Sequence, residues 1–470
     1  MLLKEKMAKR SHDGSLVVND EKKQRVEDPF DVWGVPEINL DYKKSEIHYI
    51  EANESINDTG PIRFEFQTTG GSRLDPNFTE LDGELEIWNV STGKKTVEAD
   101  DVGVINSLPI TMFEKVEIKI NDQLVTDSSS GNHALKAYFQ QKFTYNKSVK
   151  QEILKKTEFY YEEDPNKINQ HAKSESNDVF KQKHDTFVKN SKSVHFRTQL
   201  YCDEFNTPKY FPTDCNYAIT FTRHPTSFCL MGVAGHEGKY KIKIKRLRLV
   251  VKKILPAKPI VDNDEDLFTL GKTAYIPYTQ GIVTSRIMEK GNFTKNHADV
   301  CLGGFIPKQM FVFFIDHDSY SGTITKNPFE FKNHDLQKIK FTVKGIEYPT
   351  VPYDLNFTEN DVTRAYLDLL NTIGISRDNK SPNITLEMFK KYCTVFCLDL
   401  QPDQCNSYHI HQSDPGRVDV ELSFRTQLAN AITVCFYSLH DKVITFKRVK
   451  DKGGLNEVKV LDSAALLPLQ

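Results

Sequence analysis

Cys301–Ile346 reads CLGGFIPKQMFVFFIDHDSYSGTITKNPFEFKNHDLQKIKFTVKGI, and its two halves carry two different strand patterns. Met310–Ile315 is an unbroken apolar run rich in Phe, too short for a bilayer and suited to a strand buried on both faces. Asp316–Gly322 is a polar turn, with Asp and Ser at positions that favour one. From Lys338 to Lys344 the alternation is strict, with Ile339, Phe341 and Val343 on one side and Lys338, Lys340, Thr342 and Lys344 on the other. That is the period of a half-buried strand, and Gly345 turns it.

A weaker copy of this second half occurs earlier. FEKVEIKINDQ (Phe113–Gln123) matches LQKIKFTVKGI (Leu336–Ile346) in apolar and charged character. Each copy is followed by a helical segment with an Ala-Tyr pair: Asn132–Tyr138 in the first, Asn360–Tyr366 in the second. The shared order of strand, turn and helix predicts a tandem duplication of one β-rich domain. A chain of 470 residues holds two such domains with proper cores.

Composition is that of a folded protein: 39% hydrophobic and 27% charged residues exclude a disordered chain. The net charge of −2 gives no overall pull toward nucleic acid or acidic membranes. The N-terminus lacks the apolar core of a signal peptide, and nowhere do about 18 apolar residues run together, so a soluble chain outside the usual secretory route is expected. The eight cysteines are scattered, several in apolar strands, and read as reduced thiols.

Residues 1–28 read as a disordered, locally basic arm with no usable periodicity: a solvated tail, a weak nuclear import signal or an arm that orders against a neighbouring subunit. Residues 29–255 are read as the first β-sandwich, with strands at Glu46–Ile50, Ile62–Phe66, Leu85–Val90, Phe113–Ile120 and Tyr217–Thr222 and a helix at Gly131–Phe143. The polar segment 144–195 reads as a long surface excursion. In Tyr240–Lys253 the inward set changes parity, from Ile242 and Ile244 to Leu247, Leu249 and Val251, which requires a β-bulge near Lys245 and Arg246. The opposite face of this strand is basic and reads as solvated or interfacial. Pro256, Pro259 and acidic Asp262–Asp266 mark a domain boundary. Residues 256–450 are the second sandwich, with a helix capped at Thr358 and ended at Gly374, and strands at Val395–Leu400, Val418–Phe424, Ile432–Tyr437 and Val443–Val449. Residues 451–470 are a frayed tail with a docking segment at Leu461–Leu467. The fold class expected is all-β: two tandem antiparallel jelly-roll sandwiches, a double jelly roll with short helices and long loops.

Signals for chemistry are thin. No phosphate-binding loop, nucleophile elbow or His-Glu-x-x-His helix is present. His297-Ala-Asp299 has the spacing of an iron oxygenase triad, with His317, His334 or His440 as third ligand, but the motif is short and common. His409 and His411, with Cys393, Cys397 and Cys405 upstream, include candidate zinc ligands, yet no second tight pair closes a four-ligand set. Core cysteines and loop histidines are the better account. No catalytic, cofactor-binding or metal residue is therefore assigned, and no cofactor. A tandem sandwich that binds carbohydrate or protein is the alternative to a structural role, although Trp33 and Trp88 are the only tryptophans available for an aromatic platform.

With these residues laid out, the second half resembles the major capsid proteins of Polinton (Maverick) elements and adintovirus-like viruses, a hexon-like double jelly-roll family. The carrying residues are Gly304–Lys308, Asn327–Phe331, Val343–Gly345 with Tyr348-Pro349, Arg364–Tyr366, Cys397–Asp403 and Val418–Phe424. The first half is similar less sharply, through Ile105–Leu108, the Phe113–Val125 hairpin and Ala137-Tyr138. Cys397-Leu398 stands where the family usually has Phe before Asp-Leu. The resemblance implies a non-enzymatic structural protein of the virion. Three subunits would make a pseudo-hexameric homotrimeric capsomer, and capsomers would tile an icosahedral shell around double-stranded DNA. Its partners would be itself and neighbouring capsomers, with a minor capsid or penton protein and only indirect contact to the DNA. Synthesis would be in the host cytoplasm, with nuclear assembly resting on the basic arm alone.

Overall fold

The computed structural model describes residues 40–126, 131–172, 175–189, 192–301, 304–374, 381–402, 410–449 and 456–469. The basic arm lies outside them. Two sandwiches are built on eight pairs of equivalent strands among the described residues. In the first half they are β1 (Tyr42–Glu51), β2 (Ile62–Thr68), β3 (Arg73–Asn89), β4 (Phe113–Ile120), β5 (Gln123–Leu124), β6 (Val194–Gln199), β7 (Cys215–Arg223) and β8 (Tyr240–Pro256). In the second they are β9 (Thr273–Met288), β10 (Thr294–His297), β11 (Gln309–Asp316), β12 (Leu336–Val343), β13 (Ile346–Tyr348), β14 (Phe396–Asp399), β15 (Val418–Phe424) and β16 (Ile432–Arg448).

Every pairing in these sheets is antiparallel, and the neighbours repeat. In the first half β1-β8-β3-β6 forms one sheet and β2-β7-β4-β5 the other; in the second, β9-β16-β11-β14 and β10-β15-β12-β13 do the same. Each strand thus has its counterpart eight strands later, which is the jelly-roll order written twice.

The duplication extends to detail. The β4–β5 turn holds Asn121 and Asp122 at φ 50° and 65°, and the β12–β13 turn holds Lys344 and Gly345 at 49° and 81°. Two consecutive left-handed residues are the two-residue hairpin turn whose twist matches the strands. Both β4 and β12 slip register after their first residue, between Phe113 and Lys115 and between Leu336 and Lys338. The bulge expected from the parity change in β8 falls between Ile244 and Arg246.

Helix α1 (His133–Thr144) leaves the first hairpin, α2 (Asp178–Phe187) lies in the excursion, α3 (Lys258–Thr269) links the sandwiches and α4 (Thr363–Thr372) leaves the second hairpin. Several boundaries differ from the sequence reading. β3 is 17 residues long rather than six, because its outward Asp75, Glu80, Asp82, Glu84 and Glu86 hide a strand whose inward Leu81, Leu85 and Ile87 are buried. Ile432–Tyr437 and Val443–Val449 join as one strand, paired continuously with β9 through Ser438–Lys442. α4 starts at Thr363, not Thr358: the Asn356 side chain accepts from the amides of Thr358 and Glu359 and holds them in a turn of its own. Asn456–Asp462, expected to fray, forms β17 and extends the sheet beside β16.

Segment 144–195 also departs from expectation. Its Lys150, Leu154, Tyr160, Phe180, Lys183 and Phe187 are buried. It bonds to the second half through Asn169 Nδ2 to Glu330 Oε2 (2.6 Å), Lys150 Nζ to the Pro382 carbonyl (2.8 Å) and Lys391 Nζ to Asn166 Oδ1 (2.6 Å). A polar composition misleads here because the charges find partners inside the protein.

Candidate functional site

The arrangement most informative about function is the seam between the sandwiches. Its centre is α1, whose Phe139 sits 5.1 Å from the Phe311 ring and 4.9 Å from the Tyr437 ring of the second half. Tyr138 stacks on Phe329 at 4.2 Å, and Phe211 meets Phe446 at 5.7 Å. This cover explains β11. Its Phe314 faces inward against Phe424 of β15, while Phe311 and Phe313 face outward against α1, so all eight residues are buried. The seam is continued by backbone bonds. The Gly281 amide donates to Asp203 Oδ2 at 2.6 Å, and Asn132 Nδ2 donates to the Val283 carbonyl at 3.2 Å. A Cβ on Gly281 would lie 2.5 Å from the Tyr437 ring, so only glycine admits that close crossing.

Charges are buried along the same seam, some of them in ion pairs. Lys136 pairs with Asp203, and Lys142, 1% exposed, pairs with Glu162 and donates to Tyr392 Oη at 3.1 Å. Burial raises the Glu162 carboxyl, and the Lys142 and Lys150 ammoniums more than offset it, leaving it below its ordinary value. Burial pushes Glu158 up to about 7 although Tyr201, Gln141 and the Gln199 amide donate to it. Burial likewise lifts Glu204 to about 7, with Lys136 opposing. Lys150 falls to about 7, chiefly by burial and then by repulsion from Lys142. A cavity of about 590 Å³ lies beside α1, lined by Phe139, Phe143, Gln199, Gln309, Phe311 and Tyr437 among others.

The residues singled out for metal chemistry are dispersed. His297 is buried at the end of β10 with Phe436 at 5.6 Å, and burial lowers it to about 4. Asp299 is exposed, at φ 47°. His317 bonds Thr433 Oγ1 at 3.0 Å, His334 lies 3.7 Å from Asp316, and His440 bonds Ser438 Oγ at 3.1 Å. Cys393 and Cys397 are buried thiols, and Thr372 Oγ1 donates to Cys397 Sγ at 3.1 Å. The His411 amide donates to Asp441 at 3.0 Å, while Cys405 and His409 lie outside the described residues. Among the described residues no group of three or more His, Cys, Asp or Glu side chains is placed to hold a metal ion. Nor is any described helix long and apolar enough to cross a membrane.

The basic face of β8 is matched by carboxylates. Lys245 pairs with Glu84, Arg246 with Asp82, Arg248 with Glu51 and Lys252 with Asp75. Sequence reading found the cations and missed the carboxylates opposite them, because most lie on the unrecognised part of β3. The seam pairs left no sequence signal: Lys142 and Tyr392 lie 250 residues apart.

Strand order, hairpins and seam together define a double jelly roll. No protein-family model matches the chain. A Caenorhabditis elegans protein described as uncharacterized protein F54H12.2 is 23% identical over 373 residues, which cover 78% of this chain and 85% of that protein. A chain of the Sputnik virophage structure superposes with a TM-score of 0.58 at 9% identity, over 93% of this chain and 91% of that one. A chain of the PBCV-1 virus capsid superposes with a TM-score of 0.54 at 9% identity, over 92% and 100%. The fold of this protein is the double jelly roll that those viral chains share.

Proposed function

We propose that this chain is a major capsid protein, a structural subunit whose homotrimers form pseudo-hexameric capsomers of an icosahedral shell around double-stranded DNA. The observation that carries the reading is the repeated strand order. One chain presents two similar sandwiches divided near residue 256, so three chains present six and fill a hexagonal position with a closed three-fold oligomer. The likeness to a chain of the PBCV-1 virus capsid supports it at the level of fold. A non-enzymatic role fits the seam, where Lys136 is paired with Asp203 and Lys142 with Glu162. The resemblance of the second half to Polinton capsid proteins supports that lineage, with a capsid location and self-association as its consequences.

Light scattering of the purified chain with negative-stain imaging of the same peak tests the reading. Three chains of 54.0 kDa give about 162 kDa, expected as particles of hexagonal outline or as shells. A 54.0 kDa monomer at every concentration, with no such outline, overturns it.

A further inference from the structure

Lys147–Val149, Lys150–Leu154 and Lys155–Thr157 are consecutive helical turns of the excursion, and the middle one is a π turn. Such turns inside helices are rare and gather at functional sites. Here Lys147, Lys150 and Lys155 all line one cavity of about 150 Å³, whose wall is shared by Gln182 of α2 and by Asn383 of the second half. Lys150 is 3% exposed, and its Nζ donates to the Lys142 and Pro382 carbonyls at 2.5 and 2.8 Å. Carbonyls orient an ammonium without neutralising it. Glu162 is the one carboxylate among the described lining residues, and it is already engaged. It pairs with Lys142 and accepts from the Tyr160 and Tyr392 hydroxyls at 3.3 and 3.2 Å. Residues 375–380, outside the described set, hold Arg377, Asp378 and Lys380 and so add no net negative charge.

Three ammoniums therefore face a small cavity whose single carboxylate is balanced by a fourth. A buried cation without a counter-charge sheds its proton or takes up an anion. The groups that face Lys150 are Lys142 of α1, Glu162 and the Tyr160 ring of the excursion, and the Cys393 thiol of the second half. Burial outweighs the two acidic ones and, with repulsion from Lys142, brings Lys150 down to about 7. From this arrangement we infer a binding site for one small tetrahedral oxyanion of the phosphate or sulfate type, centred on Lys150. Two of the three Lys150 N–H groups go to carbonyls and the third goes to the anion. Lys147 and Lys155 balance its charge from the exposed side, and the Gln182 and Asn383 amides donate to the remaining oxygens. The cavity holds the share of about five waters at ~30 Å³ each, which admits such an ion with little to spare. Pockets for organic ligands run to ~300–1,000 Å³, so a nucleotide is excluded. The bound ion joins the helical turns of the excursion to Pro382-Asn383 and so fastens one half to the other. This holds whether or not the chain assembles into a shell.

Sulfate is the probe, because it keeps its charge over the range in which Lys150 titrates. Thermal melts of the full chain are followed against sulfate at constant ionic strength, near pH 6 and near pH 8, for the parent, Lys147→Gln, Lys155→Gln and Lys150→Met. A saturable rise in melting temperature is expected near pH 6, where Lys150 is charged. Near pH 8 the half-saturating concentration should be up to about tenfold higher, because the site must first take up a proton. Each Gln variant should raise it about tenfold, the worth of one hydrogen bond to a charge, and Lys150→Met should abolish the saturable rise. If Lys150→Met does not fold, the two Gln variants decide, since both lysines they replace are exposed. A rise that is linear in sulfate and equal in every folded protein is general exclusion of the salt from protein surface, and it overturns the site. A saturable rise that neither Gln variant weakens, or that is the same at both pH values, overturns it as well.

Discussion

Gly281 shows how much of the seam depends on single atoms. The Tyr437 ring lies where a Cβ would be, and the Gly281 amide is also the donor that Asp203 accepts. Gly281→Ala must therefore push the ring or the strand aside. A loss of about 1–3 kcal/mol of stability is expected, the usual cost of overpacking, measured as a lowered urea midpoint with unchanged slope. Glu158 makes a pH-dependent prediction. Its carboxyl titrates near 7 in the fold against 4.5 ordinarily, because burial disfavours the charge more than its donors favour it. The folded chain thus binds this proton more tightly than the unfolded chain. The stability it contributes is complete below pH 4.5 and is lost as pH rises through about 7. Glu158→Gln removes that dependence, so the variant should gain on the parent by on the order of 2–3 kcal/mol between pH 5 and pH 8. Parallel stability curves for the two proteins across that range would refute the assignment.

Among the elements, α1 and the excursion after it act as one clamp on the second sandwich. Lys142 rises from α1 to meet Glu162 of the excursion and Tyr392 of the second half, with its ammonium 5.1 Å from the Tyr392 ring centre. Lys142→Met leaves a half-buried carboxylate and a phenol without that partner, and about 2–4 kcal/mol of stability should be lost. Adding Glu162→Gln to the same chain should restore part of it, because the uncompensated charge goes; a double-mutant cycle in denaturant reads the coupling. The repeated hairpin was legible in the sequence because Ile339, Phe341 and Val343 alternate cleanly against lysines and Gly345 marks the turn. The β8 bulge was legible because a parity change permits little else. β3 and β9 were not. In β3 the outward row is acidic and Pro76 looks like a stop, although it sits where the pairing with β8 slips between Val251 and Lys252. In β9 the burial of both faces at Gln280–Val283 comes from the other sandwich and leaves no period to read. The excursion misled for the same reason, since Lys183 with Glu163 at 2.5 Å is a surface pair by composition and a buried one in place.

At the scale of the whole molecule, the two sandwiches repeat one topology but do not stand alone. The sheet β9-β16-β11-β14 has its own core on one face, and on the other presents Phe311, Phe313 and Tyr437, which α1 covers. The clamp, the Arg448 pairs with Asp214 and Glu265, and the Asn456 bonds to the Thr213 carbonyl tie the far end of the seam as well. Polar groups that satisfy one another only across a seam make its opening costly, because parting leaves buried donors and acceptors without partners as well as bare aromatic surface. Unfolding of residues 41–470 should therefore be a single calorimetric transition, with van 't Hoff and calorimetric enthalpies in agreement. Produced alone, residues 257–470 should bind a hydrophobic dye and aggregate, since an exposed aromatic patch on a sheet is an association site. Mixing in residues 41–256 during refolding should recover the soluble pair. If the second sandwich alone is instead a soluble, dye-silent monomer, the aromatic face has another way to be covered. The seam would then be a contact between independent domains.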